Sequence, residues 1–138
     1  MPLSLEDANR VVAGVHAQAA KIGVRVTAAV VDEGGHLVAL GRMDGAPPLS
    51  PQIAEAKAVG AAMLLRDGAS LLQMSEDRPG FFSAAAQLVR LPLIPGPGSL
   101  TIQRDGLTLG AVGVSGARPD EDVECATAGL TSLELHDA

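Results

Sequence analysis

Apolar and polar side chains alternate at residues 24–27, and residues 28–31 are apolar throughout. Alternation is typical of a β-strand, and the unbroken apolar half predicts a strand that is covered on both faces. Residues 32–35, Asp-Glu-Gly-Gly, favour a tight turn before a second apolar run at 37–40. The pattern predicts a β-hairpin over residues 24–46, which ends before Pro47 because proline cannot donate to a sheet.

A second hairpin is predicted towards the C-terminal end, with strands at residues 100–103 and 107–114. The Arg104-Asp105-Gly106 segment between them is a strong turn signal. Gly110 and Gly113 lie inside the second strand, where glycine weakens a strand unless another group must come close.

Helical periodicity dominates the first half outside the hairpin. Residues 4–21 predict an amphipathic helix, with Ser4 as its N-cap and Gly23 directly after its end. A second helix is predicted with Ser50 as its N-cap, and its face of small residues predicts close packing on the sheet. The Asp67-Gly68 pair ends it.

The pattern is less regular between this helix and the second hairpin. It predicts a helical turn or two at 69–74, a loop at 76–80, and either a short helix or an irregular segment at 81–89. Residues 91–98 are too rich in Pro and Gly for a central strand. A last helix is predicted to begin at Pro119, with acids in its first turn.

The order of these elements is helix, hairpin, helices, hairpin, helix. Consecutive hairpins form antiparallel sheets, so the predicted fold is α+β. It has an antiparallel sheet of four to five strands, built from two hairpins and flanked by helices. A chain of 138 residues fits one domain, residues 1–138.

Composition narrows the function classes. A net charge of −6 and an aromatic content of 1% argue against nucleic-acid binding, which needs clustered cations and stacking rings. The single cysteine, Cys125, cannot form an internal disulfide, and no run is long enough to span a membrane. We therefore expect a cytoplasmic protein without nucleic-acid or membrane partners.

The first candidate group for chemistry consists of Arg42 and Asp44, at the end of the first hairpin, and Lys57 on the following helix. A cation near apolar surface suits a carboxylate ligand, and Lys57 or Asp44 could move a proton. The structural alternative is an ion pair of Lys57 or Arg42 with Asp44 that holds the helix against the hairpin.

The histidines form the second candidate group. His16 flanks the apolar stripe of the first helix, His36 lies in a tight turn, and His136 lies near the C-terminus. Their spacing does not suit a zinc cage, so no metal site is expected. One histidine suffices as an axial haem ligand, and His16 is the candidate. The structural alternative for His16 is a half-buried boundary residue.

The third group surrounds the start of the last helix. Ser115 and Gly116 could present backbone N–H groups to an anion. The acids at residues 120–124 are best explained as favourable charge at a helix N-terminus. A ligand pocket is predicted between Lys57, the loop containing Gly96, and residues 113–116, which include Gly113.

Three segments carry a resemblance to a known family: VVDEGG at residues 30–35, RMDGA at 42–46 and GAVGVSG at 110–116. In this order they resemble the GlcG/HbpS-like family, which is related to the C-terminal domain of PduO-type corrinoid adenosyltransferases. The resemblance extends over residues 3–133. It departs from the family pattern at residues 95–99, Pro-Gly-Pro-Gly-Ser, and no counterpart was found for residues 73–90.

The resemblance implies an α-β fold, homo-oligomers and, for some members, haem binding. The first hypothesis is therefore a homo-oligomer that binds a small molecule, with haem as the named ligand. The second is a cofactor-free isomerase, lyase or hydrolase acting on a small organic acid, with Lys57 and Arg42 holding the carboxylate. The third is a purely structural assembly protein. Sequence leaves all three open.

Overall fold

The computed structural model describes residues 2–138 and contains five helices and four strands within that range. Their order is α1 (Leu5–Ile22), β1 (Thr27–Asp32), β2 (Leu37–Arg42), α2 (Ser50–Leu64), α3 (Gly68–Asp77), α4 (Pro79–Ala85), β3 (Ser99–Arg104), β4 (Leu107–Ser115) and α5 (Pro119–Asp137). None of the helices in residues 2–138 combines the length and the apolar character needed to cross a membrane.

The strands form one antiparallel sheet in the order β2-β1-β4-β3. Each hairpin supplies two neighbouring strands, and β1 pairs with β4 in the centre, from Thr27 opposite Ser115 to Asp32 opposite Gly110. The predicted α+β fold built from two hairpins is therefore confirmed, with four strands.

Helices cover both faces of the sheet. Val30 and Val112 point to one face and pack in the main core with α1 and α5. Their neighbours Val31 and Ala111 point to the other face and pack under α2. Burial of β1 on both faces explains its unbroken apolar run.

Helix α2 lies directly against the backbone of β4, and Gly113 makes this approach possible. A Cβ atom at Gly113 would collide with the carbonyl oxygen of Ala54 and lie 2.7 Å from the backbone nitrogen of Ala58. The prediction that small residues allow close helix packing is confirmed. Gly113 is thus in contact with the protein's own helix.

The structure corrects several predicted boundaries. Strand β1 begins at Thr27, because the N–H of Val24 still bonds the carbonyl of Ala19 at the end of α1. The N-cap of α2 is Leu49 rather than Ser50. The loop predicted at 76–80 is wrong, since α3 continues to Asp77 and the fixed φ of Pro79 starts α4 at once.

Candidate functional site

Lys57 is a charged residue held in the interior, with 9% of its surface exposed. It lies on α2, and its ammonium donates to the carbonyl of Val114 at 3.0 Å and to that of Pro97 at 3.4 Å. Its third partner is the Asp122 carboxylate, at 3.4 Å. An ammonium has three N–H groups, so these acceptors occupy all of them.

Asp122 completes this cluster; the sequence analysis included it only among the acids at the start of the last helix, whereas the structure pairs it with Lys57. It is 3% exposed, and its Oδ1 accepts the N–H of Ala117 at 3.1 Å. Burial raises the pKa of the Asp122 carboxyl above its ordinary value, although Lys57 and the Ala117 N–H act in the opposite direction. The available signal was helical spacing, because Asp122 shares a buried face of α5 with Ala126 and Leu133.

The Pro-Gly loop closes over the ammonium. Gly98 has a φ of +125°, and a Cβ atom there would lie 2.7 Å from the Lys57 Nζ. Its carbonyl also accepts the Val114 N–H at 2.8 Å. The structure therefore brings Lys57, this loop and the end of β4 together as predicted, but the space between them is filled by Lys57 itself.

Arg42 and Asp44 have other partners. The Arg42 guanidinium donates to the Ala46 carbonyl at 2.5 Å, and the backbone carbonyl of Asp44 accepts from Arg25 at 3.3 Å. The structural alternative, an ion pair of Lys57 or Arg42 with Asp44, is wrong, because Lys57 pairs with Asp122 and Arg42 bonds the Ala46 carbonyl. This arrangement does not favour the hypothesis of an enzyme that holds a substrate carboxylate between Lys57 and Arg42.

Backbone N–H groups at the start of α5 donate to acidic side chains of the same helix. The N–H of Ala117 donates to Asp122, and that of Arg118 donates to Glu121 at 3.1 Å. Gly116 packs against the Arg25 carbonyl. Ser115 is buried at the end of β4. The N–H groups of Ala117 and Arg118, directly after the predicted anion site at Ser115 and Gly116, therefore already have acceptors within the chain.

Gly96 lies in the loop against the start of α3. It has a φ of +130°, and its N–H donates to the Gly68 carbonyl at 3.1 Å. A Cβ atom on Gly68 would in turn collide with the Gly96 carbonyl oxygen. In the structure Gly96 serves this close backbone packing.

His16 is half-buried and joins α1 to the edge strand β2. Its Nε2 lies 2.9 Å from the carbonyl oxygen of Gly41, and a Cβ atom on Gly41 would lie 2.7 Å from the ring. Because a carbonyl can only accept, Nε2 is the donor in this contact, which in a neutral ring leaves the lone pair on Nδ1. His16 and Lys57 belong to helices on opposite faces of the sheet, so they do not line one pocket.

His36 lies in the β1–β2 turn, where its ring contacts Asp32. Its Nδ1 lies 3.1 Å from Asp32 Oδ1, and its ring is exposed. Burial acts to raise the pKa of Asp32, but hydrogen bonds from the N–H groups of His36 and Gly34 outweigh it and lower this pKa. Together, Asp32 and His36 fix the conformation of the turn.

Within residues 2–138 there is no cluster of three potential metal ligands, and the one thiol is buried. No group of three His, Cys, Asp or Glu side chains there gathers closely enough to hold a metal ion. Cys125 is fully buried, and burial raises the pKa of its thiol to about 11. A thiol with such a pKa is a poor nucleophile at neutral pH.

Comparison with known proteins identifies the family. A family model described as "Haem degrading protein HbpS-like" matches residues 3–131. The chain belongs to the HbpS-like family. Protein GlcG of Escherichia coli K12 is 35% identical over 113 residues, which cover 82% of this chain and 81% of that protein. An uncharacterised 15.0 kDa protein of Citrobacter freundii is 33% identical over 121 residues, covering 87% and 84%.

Three solved structures share the fold. HbpS superposes with a TM-score of 0.85 at 28% identity, covering 95% of this chain and 89% of that one. The Klebsiella pneumoniae protein ORFY gives 0.85 at 29% identity, covering 95% and 90%. The PduOC–haem complex gives 0.86 at 22% identity, covering 96% and 95%, which shows a common fold. The resemblance inferred from the sequence is therefore confirmed.

Proposed function

We propose that this HbpS-like protein is a homo-oligomer that binds a small ligand, and that the ligand is haem. Membership of a family described as haem-degrading carries the proposal. Two further likenesses agree with it, since the fold is shared with HbpS and with the PduOC protein solved with haem. Bound haem supplies a redox-active iron centre.

His16 is the residue that we propose as the iron ligand. The Gly41 carbonyl holds the Nε2 proton of His16, which leaves the Nδ1 lone pair for a metal. Histidines that bind metals usually donate their other N–H to such an oxygen, and the Nε2 of His16 is held in this way.

The surroundings of His16 also suit an apolar macrocycle. Val12 and the bare backbone of Gly41 border the ring, and both lack polar side chains. His16 is half-buried beside the edge strand β2, so a single chain would leave one side of a haem bound there exposed. A second copy of the chain would cover the other side, which connects the haem proposal with the homo-oligomer.

The test is a haem titration followed by the Soret absorbance, with His16→Gln as the decisive variant. Glutamine retains a donor for the Gly41 carbonyl but is not a haem ligand. We expect the wild-type protein to shift the Soret band of haem and His16→Gln to bind it at least about tenfold more weakly, a change of about 1.4 kcal/mol.

His136→Gln is the matched control, because His136 is exposed at the end of α5. It should bind haem like the wild type, and thermal melts should show that both variants are folded. Unchanged haem affinity in His16→Gln would refute the assignment of the ligand. Absence of any Soret shift with the wild-type protein would refute haem binding itself.

A further inference from the structure

An open apolar groove lies on the α2 side of the sheet, away from His16. It has a volume of about 320 Å³, and Met63 at the end of α2 forms one side of it. Phe81 and Ala85 of α4, followed by Leu88 and Val89, form the other side. Ligand pockets usually span about 300–1,000 Å³, so this groove suits one short chain or one ring rather than a macrocycle.

An arginine without a polar partner, Arg78, stacks on a side chain that lines this groove. The Arg78 guanidinium stacks over the Phe81 ring, 4.2 Å from its centroid. Every other arginine in residues 2–138 donates a side-chain hydrogen bond to an acid, a carbonyl or a hydroxyl, whereas Arg78 donates none. In a chain with a net charge of −6, Arg78 is thus a cation left available to a ligand.

We propose that this groove binds a small amphiphilic carboxylate. Its short alkyl or aryl part would lie between Met63 and Phe81, and its carboxylate would pair with Arg78. The planar guanidinium of arginine matches a carboxylate with two parallel hydrogen bonds. A single guanidinium matches a single negative charge, which favours a monocarboxylate over a doubly charged phosphate.

The site is independent of the haem proposal. His16 packs against β2 on the face covered by α1, whereas the groove lies between α2 and α4 on the other face. Haem binding and carboxylate binding can therefore succeed or fail separately.

Octanoate is the probe, and 1-octanol is the uncharged control of the same chain length. Binding to the full-length protein is followed by amide chemical shifts in NMR titrations. We expect octanoate to perturb residues 81–89, and Arg78→Gln to weaken octanoate at least about tenfold while leaving octanol unchanged. Arg66→Gln is the matched control, since Arg66 is exposed and bonds Ser70 instead.

Three outcomes would overturn the proposal. Octanoate could leave the shifts of residues 81–89 unchanged, or bind Arg78→Gln as tightly as the wild type. The groove could also be covered by a second copy of the chain. In that case Leu88→Glu, at a position 86% exposed in the single chain, would dissociate the oligomer, and octanoate would bind only after dissociation.

Discussion

The ion pair of Lys57 and Asp122 joins three parts of the molecule at one point. It connects α2 to the start of α5 across the end of β4, and both side chains are almost fully buried. Removing two charges from water is expensive, and their mutual attraction offsets this cost only when both are present. Removing one of the two charges should therefore lower the free energy of unfolding more than removing both.

We predict that Lys57→Met lowers the free energy of unfolding by about 3–5 kcal/mol, because Asp122 is left buried without a counter-charge. Urea denaturation measures this loss. The double variant Lys57→Met/Asp122→Asn should recover part of it, since asparagine can still accept the Ala117 N–H. Lys21→Met is the matched control, because Lys21 is exposed at the end of α1 and should change little. An equally stable Lys57→Met protein would contradict this account.

The same pair predicts a dependence on pH. Burial raises the native pKa of Asp122 above its ordinary 3.8, so the native state binds this proton more tightly than the unfolded chain. The contribution of Asp122 to stability therefore falls as pH rises through the interval above 3.8. Without Lys57 the native pKa of Asp122 rises further, so this carboxyl becomes neutral at a higher pH. The loss of unfolding free energy in Lys57→Met should therefore be smaller at about pH 4 than at about pH 7. An identical deficit at both pH values would show that Asp122 is not left charged and buried.

At the scale of elements, the contact of α2 with the central strand β4 positions Lys57 next to the Val114 carbonyl. Backbone atoms of α2 occupy the space that a side chain at position 113 would need. The sheet and the helix are both buried and closely packed here, so an extra methyl group would force them apart at the cost of other contacts.

We predict that Gly113→Ala destabilises the protein by about 1–3 kcal/mol or more, because α2 must move away from the sheet. Chemical denaturation of the purified variant measures the effect. Gly80→Ala is the control: Gly80 lies in α4, a Cβ atom there meets nothing within 4 Å, and alanine favours helix. The account fails if both variants have wild-type stability.

The elements that sequence predicted well are those with local signals. The hydroxyl of Ser4 accepts the Asp7 N–H, and Gly23 ends α1 with a φ of +79°, as the pattern of residues indicates. The ion pair could not be predicted in this way, since Lys57 and Asp122 are 65 positions apart and only the packing of α2 and α5 on one sheet brings them together. Residues 76–80 were predicted as a loop although Pro79 favours a helix start, because a gap of one residue, Arg78, between two helices carries no marker of its own.

At the scale of the whole molecule, the single chain leaves apolar surface in contact with solvent. Both β2 and β3 are edge strands, and β2 exposes Leu37 and Leu40. On the opposite face, Leu5 at the start of α1 is also exposed. Contiguous apolar surface often marks an interaction site, which agrees with the proposed homo-oligomer.

Sedimentation velocity in the presence of haem tests the proposed function most directly. The chain has no Trp or Tyr, so refractive index would report the protein and Soret absorbance would report haem. We predict that the protein boundary and the haem boundary sediment together, with a larger sedimentation coefficient than a single chain of 14.0 kDa would have. A Soret signal that does not sediment with the protein would contradict haem binding, and a protein boundary typical of one chain would contradict the homo-oligomer.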